Sequence, residues 1–497
     1  MNRRSSGVLL HLTSLPSPFG IGDLGPDAYR FVDFLRRTRQ SYWQILPVGP
    51  TDPMYDNSPY HSISAFAGNP NLISPALLAE DGLLDPADLE MTDNFSLDRV
   101  SYRVALRAKT PLLLKAAGRF MEKGITEAYK VFSKENAAWL DDYALFVALN
   151  RTYQAQWIAW PEGVKLRDPQ SLAACRKDLG PSIEKEKVLQ FFFFKQWFAL
   201  KRYCLDQGVQ IIGDIPIYLD FDSADLWSHP EYFKLDHEMR PYVKAGVPPD
   251  YFSKTGQLWG NPIYNWDLLK KQEFSWWVKR IAHNLTLYDW LRVDHFRGLV
   301  AYWEVPAAEK TAMNGQWVEA PIYDLFYHLR RKIPLLPLIA EDLGLITPDV
   351  REAIRRLGLP GMKILLFAFG WDMSSNPYIL HNMEKGSIAY TGTHDNNTVR
   401  GWFEKEASFD DRERLFRYLG RSCKAEEVSW EFIRLVMMSR ADTAIFPMQD
   451  LLGLGQEARM NIPSVETGNW RWRLNPGLLT PDLEKRLHDM TWLYGRE

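Results

Sequence analysis

Short apolar runs recur along the chain and are separated by longer stretches with the spacing of amphipathic helices. Such runs are typical of parallel strands buried on both faces, because a half-exposed strand alternates apolar and polar residues. Short buried helices stay open as an alternative, since periodicity alone does not distinguish the two. The eight candidate strands are Gly7 to Leu12, Trp43 to Val48, Val209 to Ile215, Trp290 to Val293, Tyr302 to Val305, Pro337 to Ala340, Lys363 to Phe367 and Ile388 to Tyr390.

One segment shows most clearly how a strand, a helix and the next strand follow one another. Thr347 and Pro348 have the character of a helix start, an amphipathic stretch follows, and Gly358 predicts the helix end. A new strand begins at Lys363, so this segment predicts a strand, a crossover helix and a parallel strand. Eight such strands favour a (β/α)8 TIM barrel, an α/β fold, over an open sheet.

Three stretches are too long to be simple connections between strands. We predict one catalytic barrel domain over residues 1–497, interrupted by large, mainly helical inserted subdomains. The insertions are a helical subdomain at about 75–195, a set of loops at 221–274 and a helical insertion at 401–466.

Three of the apolar runs are followed by a carboxylate, at Asp294, Glu341 and Asp395. The carboxyl ends of the strands in a parallel barrel meet at one face, where the active sites of such barrels lie. The three carboxylates are therefore predicted to share a site. Their motifs are Leu291 to Gly298, Leu338 to Gly344 and Tyr390 to Asn397.

The sequence neighbours of the first two carboxylates predict opposite protonation states. Arg292 and Asp294 project to the same side of a strand, so the guanidinium favours an ionised Asp294. Glu341 follows apolar residues with no basic neighbour in sequence, which favours a protonated carboxyl. One ionised and one protonated carboxyl group are what cleavage of a glycosidic bond requires.

Asp395 is the predicted third partner of this pair. His394 and Asn396 flank it, and together these side chains have the chemistry to hold sugar hydroxyls and to favour distortion of the ring. Taken singly, each of the three carboxylates has an ordinary alternative as a helix cap or a solvated loop residue. An alternative function makes Asp214, Asp294 and Asp395 a metal site for phosphoryl chemistry, which predicts inhibition by a chelator.

Composition and charge exclude several function classes. The 497 residues include 59 Lys and Arg and 62 Asp and Glu, and the formal charge of −3 offers no basic field for nucleic acid or an anionic membrane. Three widely spaced cysteines match neither a disulfide framework nor a zinc site. No signal peptide or membrane-spanning run is recognisable, so we expect a soluble, cytoplasmic protein.

The motifs together resemble those of the amylomaltases, also called disproportionating enzymes, a family of 4-α-glucanotransferases related to the α-amylase superfamily. The resemblance covers nearly the whole chain. In that family the residues matching Asp294, Glu341 and Asp395 are the nucleophile, the acid/base and the transition-state stabiliser. Further motifs that carry the resemblance are Trp43 to Pro50, Asn57 to Tyr60, Gly213 to Ile217, Gly246 to Phe252, Gln257 to Pro262 and Ala458 to Asn461.

The resemblance also implies a set of supporting residues. It places Arg292 beside the nucleophile and Asp214 and His394 around the reacting sugar. The residues that it places along the glucan groove are Tyr60, Gln257, Trp259 and Asn461.

Aromatic residues within loop-like segments are candidates for platforms on which sugar rings stack. The large aromatic content otherwise favours core packing, as at Phe191 to Phe194. The segment Gly246 to Pro262 combines prolines, glycines and aromatics in a way that is typical of an active-site lid. The candidate platforms are Tyr55, Tyr60, Tyr251, Phe252 and Trp259.

The reaction that the resemblance implies is transfer of an α-1,4-glucan segment from a donor maltodextrin to the 4-OH of an acceptor, by a retaining double displacement. The expected partners are α-1,4-glucans, maltooligosaccharides and acceptor glucose, with no cofactor, metal, nucleic acid or membrane, in a monomer or homodimer. The residues alone leave open an α-amylase-type hydrolase, since water or a sugar hydroxyl can intercept the intermediate. A catalytically silent glucan-binding protein is a further alternative, which the presence of all three carboxylates disfavours.

Overall fold

The strands form two sheets in the computed structural model, which describes residues 4–91, 94–249, 253–344 and 346–497. One is a closed barrel of parallel strands, and the other is a four-stranded antiparallel sheet. In chain order the strands are β1 (Ser5–Leu9), β2 (Tyr42–Gln44), β3 (Gln210–Ile215), β4 (Val243–Val247), β5 (Gln257–Pro262), β6 (Trp290–Val293), β7 (Ala301–Pro306), β8 (Gln316–Glu319), β9 (Leu338–Ala340), β10 (Gly361–Ile364), β11 (Ser387–Tyr390) and β12 (Thr443–Pro447).

The barrel order is β1-β12-β11-β10-β9-β6-β3-β2, and the sheet outside it has the order β5-β4-β7-β8. Eight parallel strands with helices between them confirm the predicted (β/α)8 barrel. The strands have the predicted burial: β1, β2, β9, β11 and β12 are buried at every position. Such strands are apolar on both faces because side chains fill the barrel interior and helices cover its outside.

The α-helices surround the barrel and fill the longest connections between strands. They are α1 (Pro26–Arg37), α2 (Pro75–Glu80), α3 (Tyr102–Lys123), α4 (Glu127–Glu135), α5 (Ala137–Tyr153), α6 (Glu162–Lys165), α7 (Pro169–Asp178), α8 (Gly180–Asp206), α9 (Ala224–Ser228), α10 (Trp266–Lys271), α11 (Ser275–Leu287), α12 (Ile322–Lys332), α13 (Pro348–Leu357), α14 (Val399–Gly401), α15 (Phe409–Leu419), α16 (Ala425–Met438), α17 (Met448–Leu451) and α18 (Pro481–Leu493).

The helix α13 has the bounds that its terminal residues predict. Pro348 occupies the first turn, where a missing N–H costs nothing, and Gly358 ends the helix in the left-handed conformation with φ of 65°. The buried residues Val350, Ile354 and Leu357 form the predicted apolar stripe against the barrel.

Seven of the eight candidate strands belong to the barrel, but Tyr302 to Val305 does not. That run lies in β7, which pairs antiparallel with β4 and β8 in the outer sheet. Its apolar residues are buried because neighbouring segments cover this sheet, and a short apolar run does not reveal which kind of sheet buries it.

The missing barrel strand is β12, which lies within the stretch 401–466 predicted as a helical insertion. Thr443 to Pro447 pairs in parallel with β1 and β11 and closes the barrel, so the helical prediction is wrong for this part. The run is only five residues long and is separated by only four residues from α16, whose helical pattern hid it. The division of the chain into one domain with three insertions stays a prediction.

The segment between β2 and β3 is helical, from α2 to α8. The aromatic residues Phe191 to Phe194 lie on α8 and pack with Phe120, Tyr129 and Phe132, as the core interpretation predicts. Among the described residues, we find no helix with the length and apolar character needed to cross a membrane.

Candidate active site

The strands β6 and β9 bring Asp294 and Glu341 to the same level of the barrel. Val293 is paired with Ala340 in the parallel register, and each carboxylate residue directly follows one of these two. The backbone N–H of Glu341 donates to the carbonyl oxygen of Val293 at 3.2 Å. The two carboxyl groups therefore lie side by side at the carboxyl edge of the barrel, where the active sites of this fold are found.

Arg292 joins Asp294 to a third carboxylate from the neighbouring strand. Its Nη1 donates to Asp294 Oδ1 at 2.9 Å and to Asp214 Oδ2 at 2.6 Å. The guanidinium is only 3% exposed, so it is held among carboxylates and away from water. Although burial lowers the pKa of Arg292, the charges of Asp214 and Asp294 raise it well above its usual value.

The two carboxyl groups bound to Arg292 differ in exposure. The Asp294 side chain is 27% exposed towards the cleft, whereas that of Asp214 is completely buried. Burial raises the pKa of Asp294, and the Arg292 guanidinium opposes this rise. Burial likewise raises the pKa of Asp214 to about 6, although Arg292 and a hydrogen bond from the Tyr60 hydroxyl at 2.7 Å both favour the charged form.

Glu341 lies in a pocket where backbone amides hold both of its carboxyl oxygens. The N–H of His295 donates to Oε2 at 2.7 Å, and the N–H of Leu343 donates to Oε1 at 3.0 Å. Burial raises the pKa of Glu341 to about 8 against the opposing charge of Arg292. A carboxyl group with this pKa is protonated at neutral pH, as a general acid must be.

His295 has a backbone conformation that a histidine rarely adopts. Its φ of 47° and ψ of 51° lie in the left-handed region, immediately after Asp294. This turn aims the His295 N–H at Glu341 and so links the two carboxylate motifs through the main chain. Strained residues of this kind persist where the surrounding structure holds them, often at functional sites.

Asp395 lies in the loop after β11 and is oriented by two neighbours. Its Oδ1 accepts from Asn461 Nδ2 at 2.7 Å, and its Oδ2 lies 3.4 Å from His394 Nε2. Against the effect of burial, these neighbours hold the pKa of Asp395 well below its usual value. The side chain remains 43% exposed, so an ionised carboxylate faces the cleft.

Aromatic rings form one wall beside Asp395. The rings of Tyr60 and His394 are stacked at 5.1 Å and 18°, and Trp470 lies 5.8 Å from Tyr60. Because Tyr60 also donates to Asp214, this stack connects the surroundings of Asp395 with those of Asp294. The predicted site residues Tyr60, Asp214, Arg292, His394 and Asn461 are thus brought together around the three carboxylates.

Trp259 approaches the site from the outer sheet. It lies on β5, and its ring meets the His295 ring edge to face at 4.8 Å. Its Nε1 donates to Gln257 Oε1 at 3.2 Å, so the two predicted groove residues support one another. The prediction of loops here is wrong for residues 257–262, which form a strand because β4 supplies its backbone partners. The remaining candidates on this segment, Tyr251 and Phe252, lie outside the described residues.

Tyr55 lies in a separate cluster and, among the described residues, makes no hydrogen bond or ring contact with the three carboxylate residues. Its ring is stacked on His61 at 4.3 Å and 10°, and His61 Nδ1 is 2.7 Å from Asp220 Oδ1. The stack leaves Tyr55 half-buried at the surface.

Two residues of the site were missed from sequence. His295 contributes its backbone N–H, and only its position after Asp294 within the motif gave a signal. Trp470 packs against Tyr60 and His394, but it lies nine residues after the Ala458 to Asn461 motif and belongs to none of the recognised motifs. Side-chain chemistry alone does not indicate a backbone donor or a stacking partner brought in by folding.

The fold and site define the class of protein as a (β/α)8-barrel enzyme for chemistry at glycosidic bonds. One carboxylate is held by a guanidinium and a neighbouring carboxyl group has a raised pKa, which is the arrangement this chemistry uses. Residues 10–480 match the model of the 4-alpha-glucanotransferase family. The chain belongs to this family, and its activity is glucan transfer, as predicted.

Individual relatives agree with the family match over their whole length. The 4-alpha-glucanotransferase of Aquifex aeolicus (strain VF5) is 48% identical over 494 residues, which cover 99% of this chain and 100% of the relative. That of Clostridium butyricum is 46% identical, covering 98% and 100%. Among solved structures, the amylomaltase from Streptococcus agalactiae in complex with acarbose matches with a TM-score of 0.96 at 40% identity, covering 99% and 100%.

Proposed function

We propose that this chain transfers α-1,4-glucan segments from a donor maltodextrin to the 4-OH of glucose or another maltodextrin by a retaining double displacement. Asp294 is the nucleophile, Glu341 the acid/base and Asp395 the stabiliser of the transition state. The observation that carries the proposal is the different bonding of the paired carboxyl groups. The Arg292 guanidinium donates to Asp294, whereas backbone amides donate to Glu341, and burial raises the pKa of Glu341 to about 8.

In the first step, Asp294 attacks the anomeric carbon of the donor. Its Oδ1 is engaged by Arg292, so Oδ2 is the oxygen that forms the bond. Glu341 gives its proton to the glycosidic oxygen as the bond between that oxygen and the anomeric carbon breaks. The leaving chain departs with a new 4-OH, and Glu341 becomes ionised.

In the second step, the ionised Glu341 takes the proton of the acceptor 4-OH. The acceptor oxygen bonds to the anomeric carbon as the bond to Asp294 Oδ2 breaks, which restores both carboxyl groups. Each displacement inverts the configuration at the anomeric carbon, so the two together retain it. Asp395 faces the cleft as an ionised group, and hydrogen bonds from sugar hydroxyls to it strengthen as the ring distorts towards the oxocarbenium-like transition state.

The β4–β5 hairpin is the proposed lid that favours transfer over hydrolysis. Trp259 on β5 touches the residue next to the nucleophile, which is the right place to exclude water from the intermediate. Tyr60, Asp214, Gln257, Arg292, His394 and Asn461 are the proposed sugar-binding residues, and Tyr55, Tyr251 and Phe252 are proposed as further sugar platforms. We further propose a cytoplasmic monomer or homodimer, in which Cys175, Cys204 and Cys423 remain free thiols.

The direct test compares the wild type with Asp294→Asn on maltotriose. We expect the wild type to release glucose and longer maltodextrins with little net gain in reducing ends. The variant lacks the charged nucleophilic oxygen, so we expect no measurable transfer at an unchanged thermal unfolding midpoint. Product chromatography and a reducing-end assay give the two readouts.

Asp482→Asn is the matched control, because Asp482 is an exposed carboxylate in the first turn of α18. It should retain wild-type rates. Wild-type rates in Asp294→Asn would remove Asp294 from its role, and a steady rise in reducing ends with the wild type would favour the hydrolase instead.

A further inference from the structure

A second cleft lies on the flank of the barrel, away from the three carboxylates. It has a volume of about 400 Å³, within the range of about 300–1,000 Å³ that small-molecule sites occupy. Its walls come from the segment 64–66 after β2, from helices α5, α9 and α11, from the end of α4, and from residues 229–232 after α9. None of the proposed catalytic or sugar-binding residues lines it.

Two groups of aromatic rings line this flank cleft. Phe66 and Trp139 are stacked at 6.5 Å and 15°, and the Trp276 ring stands at 89° to Phe66. On the second side, His229 is stacked on Tyr232 at 5.1 Å and 19°. Phe66, Trp139, His229 and Tyr232 are only half-buried, so their rings are open to a ligand.

The inner polar groups of the cleft are already paired and hold the rings in place. Asp225 is buried and its Oδ2 accepts from the Ala65 N–H at 2.8 Å. His283 Nε2 donates to the Phe66 carbonyl oxygen at 2.8 Å, and Trp139 Nε1 donates to Asn136 Oδ1 at 3.0 Å. These bonds fix the aromatic walls before any ligand arrives, which lowers the ordering cost of binding.

The charges around the cleft select against ionic ligands. An anion would meet the carboxylates of Glu135, Asp142 and Asp225. A cation would meet the exposed ammonium of Lys279, which has no ion pair among the described residues, while Asp142 is already bound by Arg167 at 2.7 Å. Flat aromatic faces with hydroxyl groups at the rim, from Ser228 and Ser275, fit a neutral polyol ring with one apolar face.

We propose that the flank cleft is a second, non-catalytic binding site for neutral oligosaccharides, and that its ligand is the α-1,4-glucan on which the enzyme acts. The choice of glucan rests on the proposed function. The cleft holds part of a long glucan on the protein surface, so a long substrate binds at two places and a short one at the catalytic site alone.

The test measures binding to Asp294→Asn, in which bound maltoheptaose stays intact. We expect calorimetry to show a tight and a weaker class of sites, and crystals soaked in maltotetraose to show a sugar between Trp139 and Tyr232. Ala138→Trp places a large ring in the cleft from an exposed position on α5. We expect it to weaken the second class about tenfold or more while the first class is unchanged.

Two further variants make the result specific. Trp139→Ala removes one platform and should also weaken the second class, whereas Val131→Trp adds a ring at an exposed position of α4 outside the cleft and should not. An empty cleft in the soaked crystals, or a second class that is unaffected by Ala138→Trp, would overturn the proposal. Chromatography of the maltoheptaose after titration shows separately whether Asp294→Asn is inactive. Cleaved or elongated ligand would contradict the proposed role of Asp294 and would leave the result for the flank cleft unaffected.

Discussion

Arg292 binds two carboxylates at once, and Glu341 lies beside the same group. If Asp214, Asp294, Glu341 and Asp395 were all ionised, the one guanidinium at the centre would not balance them. A proton on Glu341 relieves part of this repulsion, which is one reason why its pKa is raised while Asp395 keeps its charge next to His394. The protonated Glu341 and the ionised Asp395 that the reaction needs therefore result from the interactions of all these charged residues together.

The pKa of Glu341 is expected to set the alkaline limit of activity. The carboxyl group must be protonated to assist the leaving group, and its pKa is raised to about 8 in the folded protein. We expect kcat/KM to fall as pH rises through about 8, because the protonated fraction of Glu341 falls there. Glu341→Gln should remove this limb and lower transfer from maltotriose by about 10²- to 10⁴-fold, as measured by glucose release across pH 5 to 10.

A substrate with a leaving group that needs no proton gives the control for this prediction. With α-maltosyl fluoride as donor, Glu341→Gln should regain formation of the glycosyl-enzyme, seen as a burst of fluoride. Asp294→Asn should show no burst, because it lacks the nucleophile. An alkaline limb that persists in Glu341→Gln would assign the titration to another group.

Residue chemistry predicted part of this site and missed part of it. Strand alternation correctly predicted that Arg292 and Asp294 project together, and the apolar neighbours of Glu341 predicted its raised pKa. The approach of Asn461 to Asp395 was expected only from the resemblance, and the His295 amide was not expected at all. Contacts between distant segments depend on the register of the folded barrel, which neighbours in sequence do not contain.

At the scale of elements, the outer sheet contributes a strand edge to the catalytic face. The hairpin of β4 and β5 carries Trp259 to His295, whose left-handed turn in turn positions the amide that binds Glu341. The hairpin and the end of β6 thus support each other. The glycines and prolines of Gly246 to Pro262 predicted a lid, which stays a prediction, but this pattern did not reveal that residues 257–262 form a strand paired with β4.

Trp259→Ala tests whether this hairpin excludes water. Removal of the ring should lower the rate of transfer by about tenfold, equivalent to about 1.4 kcal/mol for one aromatic contact. Hydrolysis should fall less than transfer, because water then reaches the intermediate. The ratio of new reducing ends to released glucose on maltotriose measures the change.

Tyr242→Ala is the matched control for the hairpin, since Tyr242 is 51% exposed immediately before β4 and has no ring contact with the site among the described residues. It should leave the ratio unchanged. An unchanged ratio in Trp259→Ala would show that the lid role belongs to another segment.

For the whole molecule, the barrel closes where the two ends of the chain meet. β1 lies between β2 and β12, so the first strand of the chain is paired with the last one. Arg496 is buried beneath this seam and donates to the carbonyl oxygens of Ser5, Ala441 and Asp442. Seven of the eight barrel strands were predictable from short apolar runs, but the closing strand β12 was not, because closure is a long-range contact.

Gly7 makes this seam sensitive to a single added carbon. A Cβ at position 7 would lie 2.5 Å from both the Cβ and the backbone oxygen of Tyr42 on β2, and 2.9 Å from Ile445 on β12. The backbone oxygen cannot move unless the strands separate, so Gly7→Ala should lower the free energy of unfolding by about 1–3 kcal/mol. Urea denaturation followed by circular dichroism measures the change.

Gly118→Ala provides the opposite control. Gly118 lies within α3 and has nothing within 4 Å of an added Cβ. The same substitution should therefore stabilise the protein by about 0.4–1 kcal/mol there. Equal stability of the two variants would mean that the barrel adapts at its seam.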